Sequence, residues 1–105
     1  MEDTILTPAL LHLDDDSLYE LLVPEDERHS PDSNIPRGRH IYRQIVQRAH
    51  DAILDFYQSH QNTVSFSLDA IATLTPLIIN SNATSNATAA IIVATLIIKH
   101  GLNSL

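Results

Sequence analysis

Apolar positions recur with a helical period along most of this chain. The clearest stretch is 39–60. Ile41, Ile45, Ala49, Ala52, Ile53 and Phe56 fall on one face, and Tyr42, Val46 and Tyr57 widen it. Arg43, Gln44, Gln47, Arg48, Asp51, Asp55 and Gln58 fill the other side, so the pattern predicts an amphipathic helix. Residues 70–79 and 87–98 read differently, because nearly every position there is apolar. They predict a pair of helices, 67–80 and 84–100, that must be covered on all sides. Ser67 suits the first N-cap. Pro76 lies inside that helix and predicts a kink or break near Thr75, since proline lacks an N–H and crowds the preceding turn. The polar run from Asn80 to Asn86 separates the pair and carries the next cap. Lys99 and His100 suit the negative end of the last helix, and Gly101 suits the left-handed position beyond it. Ile91 to Val93 and Ile97–Ile98 also have strand propensity. The length of the run, its alanine content and the glycine stop favour helix.

The N-terminal third is organised by shorter signals. Thr7-Pro8 predicts a short helix from Pro8 to about Leu13. Ser17 and Glu20 stand at capping-box spacing before Leu18, Leu21 and Leu22, and Pro24 ends that element. Residues 24–38 hold Pro24, Pro31, Pro36 and Gly38 among polar residues and read as a linker. Residues 61–67 alternate apolar and polar, with Val64 and Phe66 in the series; lacking a partner strand, they read as an extended connector. The expected architecture is therefore all-α. It is a single domain over 1–105: acidic short helices in 1–23, a Pro-rich linker in 24–38, an amphipathic helix in 39–60, and the apolar pair. Together these make a bundle of four to five helices.

The apolar pair raises the question of what covers it. Each stretch is well short of the roughly 20 residues a spanning helix needs, and a polar break divides them, which argues against a membrane segment. Ala83, Ala87, Ala90 and Ala94 line up as a narrow stripe that allows close backbone approach, with Ile91 and Ile98 beside it. Thr88, Thr95 and Lys99 form the one polar strip. One long amphipathic helix and some short ones offer marginal cover for two such helices. This favours association with a second copy, most simply a two-fold dimer, over a self-sufficient monomer; the alanine stripe marks the closest packing contact, either within one chain or across two.

Charge and composition narrow the function. The net charge is −7, but its distribution is uneven. Residues 1–33 carry ten acids against one base, 34–60 carry four arginines against two acids, and 61–105 are balanced by Asp69 and Lys99. Such a chain is not suited to general nucleic-acid or anionic-membrane binding. With no cysteine, disulfides, thiolate zinc sites and cysteine nucleophiles are excluded, and a cytoplasmic location is expected. The Asp14-Asp15-Asp16 run lacks the alternation and the glycine of a calcium loop. Of the six histidines, none pairs with another at metal-ligand helical spacing. With no activated nucleophile and no Gly-rich phosphate loop, no catalytic residue, cofactor or metal site is assigned, and the expectation is a non-enzymatic protein.

One local anomaly remains. Arg37, Arg39, His40 and Arg43 crowd the expected start of the 39–60 helix, where the dipole disfavours each cation by roughly 0.3–1 kcal/mol. Either the acids of Asp14 to Asp16 and Glu25 to Glu27 fold back onto them, or a partner's anions do. These four residues are thus the candidate partner-binding site. Ala83, Ala87, Ala90, Ala94, Ile91 and Ile98 are the candidate oligomer or packing interface. The functional expectation is a helical protein–protein interaction module, an adaptor or regulatory domain that binds another protein and a second copy of itself. The alternative is a small acidic inhibitor, of the antitoxin, immunity or anti-defence kind, that presents residues 1–33 to a basic target.

Overall fold

The computed structural model describes residues 12–60, 66–84 and 86–100, with the side chains of Glu25 and Pro31 left aside. Within these residues the chain is all-α, a small helical bundle without strands. The elements are α1 (Asp15–Leu22), a 3₁₀ turn at Glu25–Glu27, α2 (Pro31–Arg48), α3 (His50–Ser59), α4 (Leu68–Asn80) and α5 (Ala87–His100). The expected Pro8 helix, most of the 61–67 connector and the Gly101 stop lie outside the described residues.

Helix α5 forms the centre. Every residue from Ile92 to Ile98 is buried, along with Ala89 and Ala90. Helices α1, α2 and α4 pack on it, and α3 reaches it through the Tyr57 hydroxyl, which donates to the Ile97 carbonyl at 3.3 Å. A helix apolar on all sides is stable in this position alone. Thr95, read from the sequence as part of a polar strip, is fully buried. Its hydroxyl donates to the Ile91 carbonyl at 2.8 Å, one turn back in the same helix, so its polarity is satisfied without water. Thr75 in α4 does the same with Ile71 at 2.7 Å. The expected wet side of α5 is therefore reduced to exposed Thr88 and half-buried Lys99.

Several boundaries differ from expectation. The 24–38 segment is not a linker throughout, because α2 begins at Pro31 and continues through Pro36 and Gly38. Pro31 at the first helical position needs no N–H partner. Gly38 has a packing role: a methyl group there would overlap the Tyr19 carbonyl, so α2 crosses α1 at backbone contact. The 39–60 helix is divided at Ala49, where φ −98° and ψ 9° depart from helical values. Both halves keep the expected apolar face: Tyr42, Ile45, Val46, Ala49, Ile53, Phe56 and Tyr57 are buried. Pro76 does not break α4, which runs on to Asn80. Asn82, at φ 64°, takes the left-handed position that ends α4, as asparagine tolerates, and turns buried Ala83 back into the core. Helix α5 starts at Ala87, three residues later than expected, where Asn86 accepts the Ala89 N–H at 3.1 Å as N-cap. In α1 the cap is Asp14 instead of Ser17: its carboxylate accepts the Ser17 N–H at 2.8 Å. Ser67 caps α4 as expected, accepting the Ala70 N–H at 3.2 Å.

Candidate functional site

The arginine cluster lies in the middle of α2. Because α2 starts at Pro31, Arg37 is already beyond the first turn, where the dipole's unfavourable effect on a cation has faded. The premise of the anomaly is thereby corrected, since the cations do not sit at a helix start. Two of them are held within the chain. Arg37 forms an ion pair with Glu27. The Arg39 guanidinium lies 3.5 Å from an Asp16 carboxylate oxygen and stands over the Tyr19 ring, 5.5 Å from its centre. These contacts tie α2 to the 3₁₀ turn and to α1. His40 and Arg43 are exposed, and the side chain of neither makes an ion pair or hydrogen bond among the described residues.

The first turn of α1 is also held by a charge cluster that crosses most of the sequence. Asp15 receives Lys99 at 2.9 Å and His100 at 2.8 Å, and Lys99 also donates to the Leu13 carbonyl at 3.2 Å. The last turn of α5 thus meets the first turn of α1, each end bearing the charge its dipole favours. Burial pushes the Asp15 carboxyl up, but the adjacent Lys99 and His100 outweigh it and hold the group below its ordinary value. Asp14 is also lowered, by its hydrogen bonds with Ser17. Tyr19 is raised by burial and by the nearby Asp15. Next to this cluster, Asp15, Tyr19, Arg39, Tyr42, Arg43 and His100 line a cavity of about 360 Å³. Tyr19 and Tyr42 meet edge to face there, 5.8 Å apart.

A larger groove of about 630 Å³ opens on the opposite flank of α2. Ile41 and Ile45 of α2, Ile79 of α4 and Ala83 of the following turn supply its apolar lining. Gln44, Arg48, Asn82 and Thr84 supply its polar groups. Arg48 is exposed and makes no ion pair among the described residues.

The alanine stripe divides. Ala90 and Ala94 are fully buried and Ile98 nearly so, all within one chain. Ala83 is buried in the turn before α5, Ile91 is half-buried, and Ala87 is exposed. Among the described residues, Ile92 to Ile98 of α5 and Ile71, Leu74 and Ile78 of α4 are buried within the one chain, and Leu77, Ile79 and Ile91 are half-buried. Among the described residues the exposed large apolar side chains are Leu21 and Phe66, each about one-third open at 37%.

Sequence reasoning missed several residues that organise this region. Asn34 is buried; its side-chain oxygen accepts the His29 N–H at 2.8 Å, and its amide lies 3.4 Å from Glu20. Arg28 donates to the carbonyl of Val23 at 3.0 Å, capping the end of α1. The proline spacing hid both by suggesting irregular chain. Among the described residues no helix is long and apolar enough to cross a membrane. No group of three or more His, Asp or Glu there is arranged to hold a metal ion. No known protein family, curated protein or solved structure matches this chain.

Proposed function

We propose that the protein is a non-enzymatic helical interaction module that binds another protein through the outer face of α2. The observation that carries this reading is the charge of that face. Between Asp32 and Asp51 the sequence holds four arginines, two histidines and no acid, on a chain of net charge −7. Arg37 and Arg39 are engaged with α1 and its neighbouring turn, which leaves Arg43, Arg48 and His40 to face outward. A local cationic face on an acidic protein favours an acidic partner surface and disfavours other orientations. The burial of Ile92 to Ile98 of α5 within one chain supports a different protein as the partner. The cytoplasm belongs to the same proposal, because a cysteine-free chain needs no oxidising compartment.

The alternative, an acidic inhibitor acting through residues 1–33, has less support. Asp15, Asp16 and Glu27 already pair with Lys99, Arg39 and Arg37. Deleting residues 1–33 would also remove α1 and its buried Leu18 and Leu22, so charge reversal is the cleaner test. Wild-type protein, the Arg43→Glu/Arg48→Glu double variant and the Asp26→Lys/Asp32→Lys double variant are compared in affinity capture from the native cell. The expected result is a specific partner, released by raised salt, that the arginine variant loses and the aspartate variant keeps. The reverse pattern would transfer the function to the acidic segment.

A further inference from the structure

We infer that the groove between α2 and the α4–α5 turn docks a partner segment carrying aliphatic side chains beside a carboxylate. The inference rests on the interaction reading above and specifies the ligand. Ile41 and Ile79 are only half-buried at the groove, so a partner's aliphatic group placed there would remove apolar surface from water. Ile45 and Ala83 are buried behind them and belong to the core, which makes the floor rigid. The far wall is fixed as well: Asn82 in the left-handed conformation sets the turn, and its N–H bonds the Ile79 carbonyl at 3.0 Å. Among the described residues the groove lining contains no acid. Its one charge is the Arg48 guanidinium, exposed and without an ion pair among the described residues. A guanidinium meets a carboxylate in a two-pronged hydrogen-bonded geometry. Gln44, Asn82 and Thr84 add donors and acceptors for the segment's backbone. Charge complementarity selects the occupant. A single arginine on a chain of net charge −7 suits one carboxylate, not the polyanion of a nucleic acid or an anionic membrane.

The intact ¹⁵N-labelled chain is titrated with three capped synthetic peptides of equal length. The first is amphipathic and rich in leucine and glutamate, the second has lysine in place of glutamate, and the third has serine in place of leucine. The first peptide should shift the amides of Gln44, Arg48, Ile79, Ala83 and Thr84 to saturation, and the other two should not. Arg48→Glu and Gln44→Glu each change an exposed helical position and should keep the native spectrum. Each should weaken the first peptide by about tenfold, as loss of a charge-assisted contact or addition of a like charge would. Equal binding of the lysine or serine peptide, shifts centred on Asp15 and His100, or no saturable shift would overturn the inference. A shift pattern that appears on self-concentration without peptide would assign the groove to a second copy and overturn it as well. Arg43 lies outside the groove lining, which separates this inference from the interaction reading. A native partner lost by Arg43→Glu but retained by Arg48→Glu and Gln44→Glu would keep the module and reject the groove.

Discussion

Single residues decide how α1 meets the rest of the bundle. Gly38 is the clearest case. In an exposed helix interior, replacing glycine by alanine stabilises by roughly 1 kcal/mol. Here the added methyl would overlap the backbone of Tyr19. Gly38→Ala should therefore destabilise, by about 1–3 kcal/mol as for an overpacked core. Urea unfolding would read the sign, and a gain in stability would refute the close crossing. Asp15 makes a second prediction, in pH. Its carboxyl is held below the ordinary value in the fold, against an unfolded value near 3.9. Its contribution is thus fully present above the unfolded value and lost as pH falls through the folded one. Thermal unfolding should show stability declining from about pH 5 downward, with a shallower decline in Asp15→Asn. Identical acid limbs in the two proteins would show that the Lys99–Asp15–His100 cluster contributes nothing. These residues were partly legible. Lys99 and His100 read correctly as last-turn cations, but their partner lies more than 80 positions away, and no local pattern names it.

At the scale of elements, the helical period located the helices better than the punctuation located their ends. The 39–60 pattern placed its apolar face correctly across α2 and α3, because burial of one face at every turn is written into residue spacing. Proline and glycine misled, since Pro31 starts a helix, Pro36 is accommodated inside it and Gly38 serves a crossing. All three residues mean something different once a neighbour is present. The alanine stripe shows the same dependence. Ala90 is fully buried against the bundle, whereas Ala87, one turn earlier, is exposed. Ala90→Leu should overpack α5 and destabilise by about 1–3 kcal/mol. Ala87→Leu should stay within about 0.5 kcal/mol of the parent. Chemical denaturation of the two variants checks the pair, and an equal loss in both would place Ala87 in an interface.

For the whole molecule, the central question is whether one chain covers its own apolar pair. Helices α1, α2 and α4 surround α5, with α3 joined through Tyr57. Sedimentation equilibrium at micromolar concentration should therefore return the mass of one chain, and a stable double mass would restore the two-fold dimer. The charges fold in the same self-contained way. Acids of α1 and of the 3₁₀ turn lie against the basic α2 through Arg37–Glu27 and Arg39–Asp16.

The sequence by itself determined the helical class, the buried face of α2 and α3, the apolar burial of most of α5 and the Ser67 cap. Each follows from residue spacing or from a cap that acts within one turn. Only the tertiary structure decided which partner meets each charge, where α2 begins and how far one chain buries its own apolar pair. Those outcomes depend on contacts between distant segments: Asp15 with Lys99 and His100, Arg39 with Asp16, Tyr19 with Gly38. The same structure leaves Arg43 and Arg48 facing outward on α2, which is where the partner is proposed to bind.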